Sequence, residues 1–310
     1  MALMLIKTNA QSPRRWRLQS TAVIALLGVA APAAGDFVRA DLCDRENSNR
    51  CIMRFAQDAP PVAHPAGVLG VTDRRVQIVP AQWPWSSIGQ INVVRGPSHR
   101  TMCTGTLIGP RQVVTAAHCL FDTRTDDWVN PRAVHFLVAQ TGENPPQHSI
   151  VDRFVVSPQF KYRIEERPRY DFIAPDMVEH DWAILSLVDA LDLKPIPIRS
   201  IQHVELPAQG NHAEIALAGY GIDHRYVLSV HKGCSVNIGS PAGSLTHTCD
   251  SAHGESGGPI LLLQGGNVTL IGIHSSNAQR FEPQVGYQAI SGLGVSASAF
   301  EQAAVGSRRP

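Results

Sequence analysis

Hydrophobic positions fall into short runs that are bounded by glycine or proline. These runs cover residues 85–94, 102–108, 112–116, 133–139, 182–188, 213–218, 259–263 and 268–274. Short runs at this spacing predict β-strands, and a series of them predicts an all-β sandwich or barrel. The 25 glycines and 22 prolines favour the same interpretation, because long helices tolerate both residues poorly.

Three segments depart from this pattern. Residues 35–67 are polar and proline-containing, which predicts a pro-segment or linker. Residues 157–180 are rich in charges and aromatics without alternation, which predicts a surface insertion. Residues 295–304 predict a short terminal helix.

The N-terminal segment, residues 1–34, has the pattern of a cleaved signal peptide. Three arginines within residues 14–17 precede an apolar run at 21–31 and a small-x-small site at 31–33. A membrane anchor is the alternative, but the run is shorter than the ~20 residues that span a bilayer. The arginine pair faintly resembles a twin-arginine signal, although ordinary Sec export is the simpler expectation. We therefore expect a secreted or periplasmic protein without a membrane span after signal removal.

Charge and composition limit the classes of partner that we expect this protein to bind. The 27 basic and 26 acidic residues give a formal net charge of +1, so no overall field favours nucleic acid or an anionic membrane. With 44% hydrophobic and 17% charged residues, the chain can form a packed core. We expect a monomer whose partners are protein or peptide substrates, with no nucleic acid.

The six cysteines form neighbouring pairs along the chain: Cys43 and Cys51, Cys103 and Cys119, Cys234 and Cys249. An oxidising compartment favours disulfides for such a set. Zinc is the alternative, but the Cys-x-x-Cys and His-Glu-x-x-His spacings do not occur. We expect no metal and no cofactor.

A candidate nucleophile lies at Ser256, within the hexapeptide Gly-Glu-Ser-Gly-Gly-Pro of residues 254–259. A serine hydroxyl is a poor nucleophile unless it is positioned and a base removes its proton. Flanking glycines permit a sharp turn and can aim N–H groups at one point. A plain turn before the following apolar run is the alternative.

A candidate base is His118, which ends an apolar run and is followed at once by Cys119. A disulfide to Cys103 would fix this histidine on a rigid element. Taken alone, His118 could equally be a strand-end histidine bonded to the backbone. The serine motif downstream favours the general base.

The third member must be a buried carboxylate that holds the imidazole in the correct tautomer. Asp181 directly precedes an apolar run, which would draw it into the interior. Asp152, Asp171 and Asp176 lie in polar or proline-rich stretches, where a solvated carboxylate is the simpler interpretation. Asp181 is therefore the predicted acid.

In the order His, Asp, Ser, these motifs resemble the trypsin/chymotrypsin family. The matching segments are residues 103–108, 115–119, 181–185 and 254–259, and the resemblance covers roughly residues 68 to 300. It implies two Greek-key six-stranded β-barrels packed around a cleft, with a short C-terminal helix. Residues 68–190 would carry His118 and Asp181, and residues 191–310 would carry Ser256. It also implies an oxyanion hole from the N–H groups of Gly254 and Ser256.

Residues 68–75, 248–251 and 272–275 resemble the bacterial glutamyl-endopeptidase-like branch. Two features depart from related patterns. The serine motif continues Gly-Gly-Pro rather than Gly-Ser-Pro, and Ala252 occupies the position where trypsin has a cysteine. Because no cysteine follows Ser275, the resemblance implies that Cys249 bonds Cys234.

The resemblance gives conflicting signals on specificity. Asp250 lies where trypsin-like enzymes carry the acid that attracts Arg or Lys, and this basic preference is the favoured one. His274 lies where glutamyl endopeptidases meet an acidic side chain. Ser251 and Ser275 complete the predicted substrate-binding set, and Ser275 is also expected near Asp181.

Activation is predicted from Glu255, which stands where zymogens of the family keep an acid that pairs with a newly cut N-terminus. Cleavage after Gly67 would give a Val68 amine that pairs with Glu255. Cleavage after Arg75 is the runner-up, and an enzyme that needs no cut is the other alternative.

The motifs together predict a secreted or periplasmic serine endopeptidase that works through an acyl-enzyme. An esterase or acyltransferase with the same triad and a non-catalytic binding module on this fold are the rival functions.

Overall fold

The computed structural model describes residues 67–96, 98–138, 147–162, 164–167, 170–200, 213–238, 243–282 and 286–306. They belong to the compact unit Pro61–Pro310. The predicted signal peptide, the pro-segment as far as residue 66 and the Cys43–Cys51 pair lie outside the described residues.

Strands dominate the described chain. In order they are β1 (Val76–Ile78), β2 (Ile88–Val94), β3 (Arg100–Gly109), β4 (Gln112–Thr115), β5 (Phe121–Asp122), β6 (Asp127–Trp128), β7 (Val134–Val138), β8 (His148–Val156), β9 (Ile164–Arg167), β10 (Tyr170–Ile173), β11 (Ala183–Leu187), β12 (Ala213–Gly219), β13 (Leu228–Cys234), β14 (Val236–Ile238), β15 (Ser244–His247), β16 (Pro259–Gln264), β17 (Asn267–Glu282) and β18 (Gly286–Ser296). One short α-helix, α1 (Glu301–Gly306), follows. The predicted all-β fold is confirmed.

The N-terminal half closes into a barrel of six strands in the order β11-β4-β3-β2-β7-β8. Alternating side chains fill it: Val134, Phe136 and Val138 of β7 point inward and are buried, whereas the residues between them are partly exposed. This period-two pattern is the one that the sequence shows, and it makes the barrel a packed scaffold.

The C-terminal half forms a sheet of eight strands in the order β1-β13-β12-β16-β17-β18-β15-β14. It has more strands than the six predicted. One reason is that β1, which precedes the N-terminal barrel in the chain, pairs with β13, with Val76 opposite Val230. The long hairpin of β17 and β18 lies between β16 and β15 in this sheet.

The two irregular segments are more ordered than the sequence suggested. Residues 157–180, predicted as a surface insertion, contain the β9–β10 hairpin and a 3-10 helix over Pro175–His180. The predicted terminal helix begins too early, because β18 continues to Ser296 and α1 starts only at Glu301. In the described part of the chain no helix is long and apolar enough to cross a membrane.

Candidate active site

His118 lies on a 3-10 helix, Ala117–Leu120, directly after β4. All four residues of β4 are buried, so the apolar strand fixes where the helix begins. A disulfide joins Cys103 of β3 to Cys119, with an S–S distance of 2.05 Å. The turn that carries the imidazole is therefore anchored on both sides.

Asp181 is fully buried and is held by three donors. Its Oδ2 lies 2.7 Å from His118 Nδ1, and its Oδ1 accepts the backbone N–H of His118 at 2.8 Å. The hydroxyl of Ser275 donates to Oδ2 at 2.6 Å. These contacts fix the imidazole with a proton on Nδ1, which leaves Nε2 as the basic nitrogen.

Ser256 lies in a turn that only glycine can form on either side. Gly254 and Gly257 have φ values of 98° and 79°, in the left-handed region. A Cβ on Gly257 would collide with Thr115 Oγ1, and one on Gly254 would come within 2.6 Å of the Tyr220 carbonyl oxygen. The sequence motif is thus a steric requirement of this turn.

Two backbone N–H groups of this turn are unused. The N–H groups of Glu255, Gly257 and Gly258 donate to Ala252, His274 and Glu255 at 3.0, 2.7 and 2.8 Å. In the described part of the chain, the N–H groups of Gly254 and Ser256 have no acceptor. Such a pair beside the serine can bind a developing oxyanion.

Ser256 and His118 line the same cleft, which has a volume of about 430 Å³. The Ser256 hydroxyl donates to the backbone carbonyl of Ser275 at 3.2 Å. Proton transfer to His118 Nε2 therefore requires the Ser256 hydroxyl to leave this acceptor. Catalytic hydrogen bonds often align only when substrate is bound.

Thr104 on β3 attaches the serine turn to the N-terminal barrel. Its N–H donates to the Ser256 carbonyl at 2.8 Å, and its hydroxyl donates to the Gly254 carbonyl at 2.9 Å. The same hydroxyl accepts the Tyr220 N–H at 2.9 Å. The two halves of the fold thus meet at the turn that carries Ser256, the candidate nucleophile.

Asp250, a predicted substrate-binding residue, has internal partners for both of its carboxylate oxygens. The carboxylate is fully buried and already paired with Arg74, whose Nη2 and Nε lie 2.8 and 2.9 Å from its two oxygens. The backbone N–H groups of Leu69 and Arg74 also donate to it, each at 2.9 Å. Arg74, a basic residue of the chain itself, already pairs with this carboxylate, so the structure gives the predicted Arg or Lys preference no support and it stays a prediction.

Ser251 and His274, the other predicted pocket residues, have internal partners. Ser251 forms a bridge with Gly67, and Asn277 donates to its hydroxyl at 3.0 Å. The ring of His274 is only 2% exposed and lies 3.0 Å from His247, measured between Nδ1 and Nε2. Burial lowers the pKa of His247 to about 4 and that of His274 well below its usual range, so both rings are neutral at pH 7.

Glu255 pairs with Arg75 rather than with an N-terminal amine at Val68. The Arg75 Nη1 and Glu255 Oε1 atoms are 2.7 Å apart, and each side chain is 1% exposed. Arg75 also contacts Asp73 and Asp223. Val68 is buried, and its neighbour Gly67 bridges to Ser251. In the uncut chain a side chain therefore supplies the positive charge beside Glu255, and the pairing of a Val68 amine after cleavage stays a prediction.

The second disulfide in the structure joins Cys234 to Cys249, at the start of the segment that leads to Ser256. Cys103, His118 and Cys119 lie close enough to resemble a metal site, but both sulfurs are in the first disulfide. They offer no thiolate to an ion.

Sequence reasoning missed Thr104, Arg74, Arg75, His247 and Asn277. For Arg74 and Arg75 the sequence analysis predicts only a possible cleavage site. Two consecutive arginines ahead of the first strand did carry a signal, because the buried acids Asp250 and Glu255 each required a cationic partner.

The family model described as Trypsin matches residues 74–291. Human transmembrane protease serine 5 is 26% identical over 232 residues, which cover 66% of this chain and 46% of the human protein. The venom serine protease Bi-VSP of Bombus ignitus is 26% identical, and the match covers 54% of this chain and 48% of the venom protein. The CLIP domain-containing serine protease B15 of Anopheles gambiae is 26% identical, and the match covers 63% of this chain and 59% of the Anopheles protein. The chain thus spans about half the length of the curated relatives it matches.

A solved structure, that of a Glu endopeptidase in complex with MPD, matches with a TM-score of 0.56 and 19% identity. The match covers 78% of this chain and all of that one, 100%. This likeness shows the fold.

Proposed function

The chain belongs to the trypsin family, and from this premise we propose that it is a serine endopeptidase that works through an acyl-enzyme. The observation that carries the proposal is the buried Asp181–His118 pair, which faces the same cleft as Ser256. A non-catalytic module would have no need of a fully buried carboxylate that orients a partly exposed imidazole.

The proposed reaction begins when Ser256 Oγ attacks the carbonyl carbon of the scissile peptide bond and His118 Nε2 takes the hydroxyl proton. The carbonyl π electrons move to oxygen, and the N–H groups of Gly254 and Ser256 bind this oxyanion. The C–N bond then breaks, and His118 delivers the proton to the departing amine. An ester remains on Ser256.

Water completes the cycle by the same steps in reverse order. His118 takes a proton from water, the hydroxide attacks the ester carbon, and the proton returns to Ser256 Oγ as the acid product leaves. Throughout, the buried Asp181 stabilises the imidazolium, because a full charge at 2.7 Å is poorly screened there.

We propose export as the setting of this activity. The segment of residues 1–34 has the features of a signal peptide, and the two disulfides require an oxidising compartment. One relative is by name a venom protease. Secretion or a periplasmic location, a monomeric state and peptide substrates are all part of the proposal.

Two single variants test the function. Ser256→Ala and His118→Ala should each lower turnover of peptide substrates by at least ~10³-fold. A fluorophosphonate should label the wild-type protein at Ser256 and leave Ser256→Ala unlabelled. Equal labelling of both proteins would contradict the assigned nucleophile. Comparison of matched ester and amide substrates separates an endopeptidase from an esterase, since only the former cleaves the amide at a useful rate.

A further inference from the structure

The cleft that contains Ser256 and His118 has a strongly basic wall. Among the described residues that line it are Arg95, Arg100, Arg124 and Arg225, and their acidic companion is Asp122. Arg100, Arg124 and Arg225 are exposed, whereas Arg95 lies behind them. The wall therefore carries a local excess of positive charge on a protein whose overall charge is only +1.

Asp122 cannot balance this excess. Its carboxylate pairs with Arg124 at 3.0 Å, and hydrogen bonds from Arg124 lower the pKa of Asp122 to about 2. One carboxylate serves both Arg124 and Arg95, the latter at 3.8 Å. No ion pair with an acid involves Arg100 or Arg225 among the residues that the structure describes.

Arg95 shows that this wall is short of acceptors. Its side chain is 7% exposed, and it donates to Thr101 Oγ1 at 2.8 Å and to the Cys119 carbonyl at 3.0 Å. The remaining nitrogen, Nη1, is buried without a hydrogen-bond partner in the described part of the chain. Because Nη1 is closed to solvent and lies 3.8 Å from Asp122, Arg95 contributes a fixed positive charge behind the exposed arginines rather than a donor for an entering group.

The wall lies on one defined side of the nucleophile. The cleft runs from Ser256 past the Cys103–Cys119 disulfide, and none of Ser251, His274 and Asn277 lines it. His274 and Asn277 lie on β17 beside Ser275, whose carbonyl accepts the Ser256 hydroxyl, and Asn277 contacts Ser251. If the β17 side receives the acyl half of a substrate, the leaving-group half extends across the arginines.

Resting on the proposed endopeptidase function, we propose that this basic wall selects peptides with an acidic residue among the first three positions after the scissile bond. Arg100, Arg124 and Arg225 supply the exposed positive charges, and Arg95 supplies the fixed one behind them. A carboxylate is the complementary ligand because arginine binds it with paired N–H donors.

Internally quenched peptides test this inference. A peptide with one fixed acyl half carries Glu, Gln or Lys at the first, second or third position after the cleaved bond. At one position or more, kcat/KM for Glu should exceed that for Gln by about 5-fold or more, with Lys slower still. The preference should lie mainly in KM and should weaken as salt rises, because exposed charges are screened.

Single variants distinguish the contribution of the basic wall to this preference from a general effect of positive charge on the protein. Arg100→Gln and Arg124→Gln should each reduce the ratio of Glu to Gln cleavage. Arg153→Gln is the matched control, because Arg153 is 62% exposed, comparable with the 54% of Arg124, and lines a different cavity on the N-terminal barrel. This control should keep the wild-type ratio.

The outcomes distinguish the two proposals. Equal cleavage of the Glu, Gln and Lys peptides would overturn the acidic preference and leave the endopeptidase function intact. A wild-type protein that cleaves none of them, and no chromogenic amide either, would overturn both.

Discussion

Arg75 and Glu255 form an ion pair that is closed to solvent on both sides, with 2.7 Å between Nη1 and Oε1. Glu255 immediately precedes Ser256, the proposed nucleophile, in the chain. Burial raises the pKa of Glu255 to about 7, and the Arg75 guanidinium opposes that shift by favouring the carboxylate. The pair therefore couples the segment ahead of β1 to the turn that holds the oxyanion donors.

Arg75→Met should lower the free energy of unfolding by about 3–5 kcal/mol, because it leaves a buried carboxylate without its partner. Turnover should fall as well, since the uncompensated charge lies beside Ser256. Urea unfolding and steady-state rates measure the two effects. The double variant Arg75→Met, Glu255→Gln should recover part of the stability.

The control for this variant is Arg132→Gln. Arg132 pairs with Asp152 at the surface, where the side chains are 60% and 40% exposed. Its loss should change the unfolding free energy by less than about 1 kcal/mol. An Arg75→Met protein as stable and as active as the control would show that the buried pair is dispensable.

Ser275→Ala should lower kcat by about 10-fold, because one charge-assisted hydrogen bond to Asp181 contributes roughly 1.5 kcal/mol. KM should stay near the wild-type value, since the hydroxyl contacts the acid rather than the substrate. Ser149→Ala is the matched control: Ser149 is equally buried, and its hydroxyl accepts the N–H of Asp189 far from the triad. A kcat loss of similar size in both variants would show that the hydrogen bond from Ser275 to Asp181 has no specific effect on turnover.

The two disulfides close loops of nearly equal length, with sequence separations of 16 and 15 residues. Replacing either pair with alanines should therefore cost a similar amount of stability, about 3 kcal/mol in urea unfolding. Only the loss of Cys103 and Cys119 should also lower turnover at temperatures where both variants are folded, because that bond anchors His118. Equal turnover in the two variants would contradict this difference.

The buried ring of His247 should make the protein sensitive to acid. Its pKa is about 4 in the folded protein and about 6.5 in an unfolded chain, so the unfolded state binds the proton first as pH falls. The contribution of this group to stability is complete above pH 6.5 and is lost progressively between pH 6.5 and pH 4. The loss amounts to roughly 3 kcal/mol at pH 4.

His247→Gln should flatten the dependence of the urea midpoint on pH over this interval. His99→Gln, which alters an exposed histidine, should keep the wild-type slope. Glu255, whose pKa is raised to about 7, contributes a slope of the opposite sign, so the test is the difference between the two proteins. Identical pH slopes in the wild type and His247→Gln would contradict the prediction.

The sequence predicted the all-β fold and the motifs of the candidate site because both are local. Strand alternation spans a few residues, as in β7. The glycines beside Ser256 are required because a side chain at either position would clash within the same turn or its immediate neighbours. The histidine and the aspartate each adjoin an apolar strand, β4 or β11, whose burial can be inferred from neighbouring residues.

The environment of the buried acids could not be inferred in this way. Asp250 and Glu255 find their partners 176 and 180 residues away, in two consecutive arginines that look like a surface segment. Pairing across such distances depends on how β1 joins the C-terminal sheet, which no local pattern encodes. The same holds for His247 and His274, whose rings meet only because β15 and β17 both pair with β18.

The attachment of the Ser256 turn to Thr104 joins parts of the chain that are made at different times. His118 and Asp181 are translated first, Ser256 follows, and β16, β17 and β18 come last. The hydrogen bonds from Thr104 connect β3, an early strand, to a turn that leads directly into β16. The three candidate catalytic residues are therefore in place together only once the C-terminal half has been made and has folded against the first barrel.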